Sequence, residues 1–191
     1  MHGQFIHSIE VADARELPKP DESADLVLLM GPMYHLPDRE ERLRALKEAS
    51  RVLKRNGIMI ISAISRFSST LWGLSVFGES NNLIDETEFM KMINRELTDG
   101  QHIRPKKYPY LFARAFFHLP SELKIEIEDA GLYHEKTLAV EGPTWIVPAL
   151  DEKWAQEESR KKLLNISRKV EEQEHLMGMS PHLISIAKKI K

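Results

Sequence analysis

Residues 24–36, with the sequence ADLVLLMGPMYHL, decide the fold of this chain. The continuous apolar run from Leu26 to Met30 is typical of a strand that is covered on both faces, as in parallel sheets. A polar and aromatic turn, from Gly31 to Leu36, follows the strand. Ligands of open α/β sheets bind outside the carboxyl ends of the strands, so this turn is the first candidate for a functional site.

An amphipathic helix and a second strand are predicted after this turn. Asp38 can cap the helix, and Glu41 stands three residues later, as in a capping box. Gly57 suits the end of the helix, and residues 58–64 form the second buried strand. Strand, helix and strand in this order make a right-handed parallel unit. The apolar stripe of the helix consists of Leu43, Leu46, Ala49, Val52 and Leu53.

The remaining core elements lie on both sides of this unit. Residues 5–12 are predicted to form a strand and residues 18–23 a loop. A helix over residues 120–131 ends at Gly131. Further predictions are strands at 138–140, 145–147 and 183–187, and a long helix over 152–173 whose inward residues are Leu163, Ile166 and Val170.

The bulk composition narrows the functional classes. A chain of 191 residues with 42% hydrophobic and 29% charged residues is expected to fold as one globular domain. The net charge of −2 argues against a nucleic-acid partner, because such domains carry a basic face. The sequence has no cysteine, no signal-peptide pattern and no apolar run that could span a membrane. The expectation is therefore a cytoplasmic protein without a membrane partner.

An aromatic segment interrupts the core pattern between residues 65 and 117. A helix is predicted to begin near Asp85 and to carry Phe89, Met92, Ile93 and Leu97, and glycines separate the other aromatic residues. We interpret the segment as a lid that folds over the strand ends and lines a pocket for a partly apolar molecule. The alternative is a helical hairpin that only packs on the domain.

Several short motifs, in this order, resemble class I S-adenosylmethionine (SAM)-dependent methyltransferases of the small-molecule group called type 11. They are Asp13-Ala14, residues 31–36 (GPMYHL), residues 51–57 (RVLKRNG) and residues 128–132 (EDAGL). The resemblance implies an α/β, Rossmann-like methyltransferase sheet that lacks its first two βα units and carries an inserted helical lid. It divides the chain into a core with strands 3 to 5 of the family fold (1–67), the lid (68–117) and the C-terminal part of the core (118–191).

The resemblance assigns the loop after the first predicted strand to the cofactor, SAM. Asp13 would accept a hydrogen bond from the adenine amino group, and Ala14 and Arg15 would present backbone amides to the ring edge. The alternative for Asp13 is a loop carboxylate that caps a local turn.

The resemblance places the turn at residues 30–35 beside the methyl group and its acceptor. Met30 and Gly31 would contact the cofactor, because glycine lets the backbone approach a ligand closely. Tyr34 and His35 would line the catalytic site, with His35 as a general base for an oxygen or nitrogen acceptor. The alternative is a histidine packed in a loop, since methyl transfer can proceed by proximity and orientation without a base.

Other polar residues are weaker candidates. Arg66 follows the second buried strand and could face a substrate, although a solvated arginine is the simpler interpretation. His118, His134, His175 and His182 raise the question of a metal site. We predict no metal, because no two of these histidines stand four apart on a helix and no carboxylate cluster joins them.

The family's glycine-rich cofactor loop is not found in this sequence. None of the nine glycines stands two residues from another, and no carboxylate for the ribose hydroxyls can be assigned. Without the missing strands, the strand at residues 26–30 would have an open edge that can pair with another chain. The explanations left open are a truncated form, a homodimer through this edge, and a relative that has lost the cofactor.

The function implied is SAM-dependent methyl transfer to a small-molecule acceptor. The alternative is a non-catalytic binding or oligomerising module that keeps the methyltransferase scaffold.

Overall fold

The computed structural model describes residues 6–75 and 83–190 as an α/β fold. A four-stranded sheet has the order β1-β2-β6-β5, and a separate two-stranded sheet pairs β3 with β4. β1 and β2 are parallel, whereas β6 is antiparallel to both of its neighbours. The strands are β1 (Ala24–Met30), β2 (Leu53–Ile64), β3 (Gln101–Ile103), β4 (Arg114–Phe116), β5 (Tyr133–Ala139) and β6 (His182–Lys188).

Helices connect these strands. They are α1 (Pro32–His35), α2 (Arg39–Val52), α3 (Ser68–Ser75), α4 (Thr87–Asp99), α5 (Pro120–Asp129), α6 (Leu150–Ala155), α7 (Glu157–Val170) and α8 (Glu174–Met177). Two short 3-10 helices cover Leu83–Asp85 and Gly142–Ile146. None of the described helices is both long and apolar enough to cross a membrane.

The predicted strand–helix–strand unit is confirmed as β1-α2-β2. Asp38 caps α2, since its carboxylate accepts hydrogen bonds from the backbone N–H groups of Glu40 (2.9 Å) and Glu41 (3.2 Å). The assignment of Gly57 to the helix end is wrong, because α2 ends at Val52 and Gly57 lies in β2. A Cβ at Gly57 would lie 2.8 Å from the backbone carbonyl oxygen of Lys54 and 2.7 Å from the Leu53 side chain, so a larger residue here would force its neighbours to shift.

The main core lies between the sheet and the pair of helices α2 and α5. Leu46 of α2 and Leu123 of α5 pack with Met59 and Ile61 of β2 and with Leu183 of β6, and all five are fully buried. The sequence patterns of α2, α5 and β6 therefore predict this core correctly. Gly131 ends α5 with a φ of +83°, a conformation that favours glycine.

β1 is an edge strand of the described sheet, where it pairs only with β2. Leu29 faces the helices and is 6% exposed, whereas Leu26, Leu28 and Met30 on the opposite face are 50%, 58% and 46% exposed. The prediction that both faces of this strand are covered is therefore wrong. Among the described residues, no strand pairs with the other edge of β1.

Three other predictions are wrong. Residues 6–12 form no strand, and Ile6, Ile9 and Val11 are exposed; residue 5 lies outside the described residues. Trp145 to Val147 lie in and after the 3-10 helix Gly142–Ile146 rather than in a strand. The predicted long helix is broken at Gln156 into α6 and α7, and Ile166 is 47% exposed instead of inward.

Residues 68–117 contain α3, α4 and the sheet β3-β4. The predicted helix with Phe89, Met92 and Ile93 is confirmed as α4, and these three side chains form a separate buried cluster with Leu83 and Tyr108. Phe77 and Gly78 lie outside the described residues. The division of the chain at residues 67 and 117, and the role of this segment as a lid, stay predictions.

Candidate functional site

The turn after β1 presents Tyr34 and His35 at the carboxyl end of the sheet. Gly31 precedes α1 with a φ of +146°, so a side chain at this position would be strained. His35 is exposed, and its ring forms no hydrogen bond with any described residue. The rings of Tyr34 and His35 lie 4.7 Å apart, measured between centroids. The structure thus brings together the two residues that were predicted to line the methyl-transfer site.

Phe112 connects this turn to a cavity. Its ring centroid lies 5.3 Å from that of His35 in an edge-to-face arrangement and 5.9 Å from that of Tyr34. Phe112 also lines a cavity of about 920 Å³. Ile64, the last residue of β2, lines the same cavity and packs with Tyr34 through a shared cluster. Because β1 and β2 are parallel, the turn and the cavity lie at the same end of the two strands.

The cavity is formed by segments that are far apart in the sequence. α3, the loop before β4, the 3-10 helix Gly142–Ile146, the start of α6 and the start of β6 all contribute side chains. Its apolar lining includes Ile64, Trp72, Phe112, Phe117, Trp145 and Ile146, and its polar lining includes Ser68, Ser69, His102, Asp151, Glu152 and His182. This size and composition are typical of small-molecule sites.

A buried carboxylate stands directly behind one wall of the cavity. Oε1 of Glu96 accepts a hydrogen bond from Ser69 Oγ (3.1 Å) and lies 2.6 Å from Nδ1 of His102. Nε2 of His102 lies 2.9 Å from the carbonyl oxygen of Phe112. Since that carbonyl only accepts, Nε2 carries a proton, and a second proton is held between Nδ1 and Glu96. Oε2 of Glu96 is buried and has no hydrogen-bond partner among the described residues.

A second histidine–carboxylate pair lies at the cavity wall. Nδ1 of His182 is 2.6 Å from Oε1 of Glu141. This hydrogen bond raises the pKa of His182 above its usual value. Burial raises the pKa of Glu141, but the hydrogen bonds from His182 and Ser180 outweigh it, so the net pKa is lowered. The hydrogen bond therefore stabilises the imidazolium form of His182 and the carboxylate form of Glu141, whose charges cancel.

The Asp13–Arg15 loop is held against α2 by an ion pair. Asp13 Oδ1 accepts from the backbone N–H of Arg15 (2.9 Å) and from its Nε (2.8 Å), and Oδ2 accepts from Nη2 (2.5 Å). These hydrogen bonds lower the pKa of Asp13. Arg15 also pairs with Glu41 of α2. The local-turn alternative for Asp13 is thus realised, although Oδ2 accepts only one of the two hydrogen bonds that an oxygen can take.

Arg66 is a structural residue, so the prediction of a solvated arginine is wrong. Its side chain is 4% exposed, and it donates to the carbonyl oxygen of Phe117 (2.8 Å) and to Glu122 (2.6 Å). These bonds join the end of β2 to the start of α5.

Glu126 and His118 form a second buried polar group, together with Arg42. Arg42 Nη2 lies 2.6 Å from Glu126 Oε1, and His118 Nε2 lies 3.2 Å from Glu126 Oε2. Burial raises the pKa of Glu126, but the hydrogen bonds from His118 and Arg42 lower it, to about 2. Burial lowers the pKa of His118, which indicates a neutral ring that donates from Nε2.

Among the described residues, no three histidine, aspartate or glutamate side chains lie in an arrangement that could hold a metal ion.

The sequence reasoning missed Ser69, His102, Trp145, Asp151 and Glu152 as cavity residues. The aromatic enrichment of the segment 65–117 was a usable signal for Trp72 and Phe112. No sequence signal points to Trp145 or Asp151, because they reach the cavity from a distant part of the chain.

Comparison with known proteins assigns the fold. The family model of the methyltransferase domain matches residues 2–61. The resemblance to a class I methyltransferase is confirmed. Solved structures of SAM-dependent methyltransferases from Methanosarcina mazei (15% identity, TM-score 0.56) and Mesorhizobium loti (15%, 0.55) share this fold, as does a putative one from Listeria monocytogenes (11%, 0.56).

The match to these methyltransferase structures covers 94–95% of this chain but only 66–68% of theirs. Comparison with curated protein sequences gives no match. S-adenosyl-L-methionine is the cofactor of these methyltransferases. Because their identity to this chain is only 11–15%, the similarity establishes the fold of the chain and not its activity.

The residues of the described chain fit one side of such a cofactor. Oδ2 of Asp13 keeps room for one more donor, and the half-exposed Met30 precedes Gly31, whose φ of +146° favours glycine. No described strand lies against the free edge of β1, so contacts to the opposite side of the cofactor do not come from the described sheet.

Proposed function

We propose that this chain acts in SAM-dependent methyl transfer to a small molecule, with the acceptor bound in the cavity beside Phe112. The observation that carries the proposal is the contact of Phe112 with both His35 and the cavity. Asp13, Ala14, Arg15, Met30 and Gly31 are the proposed cofactor residues, and Tyr34 and His35 are the proposed catalytic residues. Cytoplasmic localisation also stays a prediction.

When bound, S-adenosylmethionine supplies a methyl group that its sulfonium activates. The group would offer this methyl carbon to the acceptor's lone pair, and the electron pair of the broken carbon–sulfur bond would stay on the sulfur. His35 is exposed and its ring forms no hydrogen bond within the described part of the chain, so the ring can take the proton that the acceptor releases. The cavity walls orient the acceptor and exclude water, which is the larger contribution to an in-line displacement.

The cofactor side is tested by calorimetric titration with S-adenosylhomocysteine, the product form of the cofactor. We expect micromolar binding to the wild-type chain and a loss of about tenfold in Asp13→Ala, from one charge-assisted hydrogen bond. Asp21→Ala is the matched control, because Asp21 is an exposed loop carboxylate that pairs with Arg51. Unchanged affinity in a folded Asp13→Ala variant would remove Asp13 from the site, and absence of binding to the wild type would refute the proposal.

The second candidate function is a non-catalytic module that associates through β1. The open edge and the exposed face formed by Leu26, Leu28 and Met30 favour it. Sedimentation at several protein concentrations tests this candidate. A concentration-dependent dimer that fails to bind S-adenosylhomocysteine would favour the module, whereas a monomer at all concentrations would count against it.

A further inference from the structure

The apolar walls of the cavity carry several aromatic faces. Trp72, Trp145 and Phe112 line it, and so does Tyr110, which is 69% exposed. Aromatic faces attract apolar groups and, through their negative π surfaces, also attract organic cations. They have no comparable attraction for an anion.

The charged groups of the cavity leave an excess of negative charge. None of the described lining residues is a lysine or an arginine. The imidazole groups of His102 and His182 are each balanced by their own carboxylate, Glu96 and Glu141. Asp151 and Glu152 also line the cavity, are exposed, and form no ion pair with a described residue. Among the described lining residues, Asp151 and Glu152 therefore leave an uncompensated formal charge of about −2.

Ser69 presents a hydrogen-bond acceptor at the cavity wall. Its hydroxyl proton is donated to Oε1 of the fully buried Glu96 (3.1 Å), so the free positions on Oγ are lone pairs. Glu96 also keeps one buried oxygen without a partner among the described residues. A ligand that meets Ser69 is favoured when it carries an N–H donor.

We infer that the cavity selects a protonated amine with an apolar or aromatic body. The aromatic walls hold the body, Ser69 accepts from the ammonium group, and Asp151 and Glu152 provide the opposite charge. The role of this amine as the methyl acceptor rests on the proposed function. The binding preference itself follows from the cavity alone.

The test compares three small molecules of similar shape that differ in charge. They are 2-phenylethylamine, 2-phenylethanol and 3-phenylpropionate, titrated at pH 7 into the full chain while tryptophan fluorescence and heat are recorded. We expect the amine to bind about tenfold more tightly than the alcohol and the carboxylate to bind most weakly, from one cation–π contact and exposed charge pairs. The double variant Asp151→Asn/Glu152→Gln should reduce the preference to about threefold.

Two matched serine variants test whether Ser69 Oγ accepts a hydrogen bond from the amine. Ser69→Ala should weaken amine binding about fivefold, the cost of one lost hydrogen bond, and should leave binding of the carboxylate unchanged. Ser68→Ala is the control, because Ser68 also lines the cavity, whereas the hydrogen bond to Glu96 comes from Ser69. Equal effects of the two variants would remove Ser69 from ligand recognition.

The inference is overturned if the carboxylate binds as tightly as the amine, if no probe binds, or if the double variant keeps the full tenfold preference of the wild type. Titration with S-adenosylhomocysteine is a separate measurement. Amine binding without S-adenosylhomocysteine binding would refute the proposed function and leave this inference standing. The opposite result would refute only the inference.

Discussion

The two faces of β1 differ sharply although they share one apolar sequence. Leu29 faces α2 and is 6% exposed, whereas its neighbour Leu28 is 58% exposed on the other face. An apolar run therefore predicts the strand, but burial depends on what packs against it. The covered face packs against the main core. The open face carries the exposed Met30, which belongs to the proposed cofactor site. Variants on the two faces should behave differently.

The largest expected effect lies on the covered side, between α2 and α5. Arg42→Ala leaves the carboxylate of Glu126 buried without its main partner and should lower the free energy of unfolding by about 3–5 kcal/mol. Arg39→Ala is the matched control, because Arg39 pairs with the exposed Asp129 of α5, and its cost should stay below about 1 kcal/mol. Urea unfolding measures both, and equal losses would contradict the account.

The two leucines of β1 allow a direct comparison within one strand. Leu29→Ala opens a cavity in the core and should cost about 2–5 kcal/mol, whereas Leu28→Ala should cost less than about 1 kcal/mol. The same urea unfolding experiment applies. A large loss in Leu28→Ala would mean that the open face is covered in solution, by a second copy or by another segment.

The pH dependence of stability sharpens the comparison further. The pKa of Glu126 is about 2 in the folded chain, below its usual value of 4.5, so its contribution is present above pH 4.5 and is lost as the pH falls toward 2. The difference in unfolding free energy between the wild type and Glu126→Gln should therefore shrink over this range. A constant difference would show that the Glu126 charge contributes nothing to stability.

The smallest expected effect on stability concerns the open face. Leu28→Lys should change the free energy of unfolding by less than about 1 kcal/mol, because its side chain reaches solvent. If a dimer forms through this edge, the added charge should dissociate it, as seen by sedimentation. A dimer that persists in Leu28→Lys would use another surface.

Local patterns account for most of the sheet and little of the cavity. Apolar runs predict β1, β2 and β6, and helical stripes predict α2 and α5, because these elements bury the residues that define them. Residues 6–12 have similar apolar residues but no described strand beside them, so they stay exposed. Arg66 is buried beside its partner Glu122, which lies 56 residues away in the sequence. The residues next to Arg66 therefore could not predict its burial.

The candidate site divides in the same way. Tyr34 and His35 were predictable because they directly follow a strand, and the structure brings them against Phe112. Ser69 and Glu96 form a pair only because α3 and α4 pack together, and Asp151 reaches the cavity from beyond β5. Contacts between distant segments have no local sequence signature.

The central claim is that the turn after β1 and the cavity form one site. An amide NMR titration of the full chain with S-adenosylhomocysteine tests it most directly. The account predicts shifts at Asp13 to Arg15 and at Gly31 to His35 that extend to Phe112. Shifts confined to other surfaces, or no shifts at millimolar ligand, would contradict it.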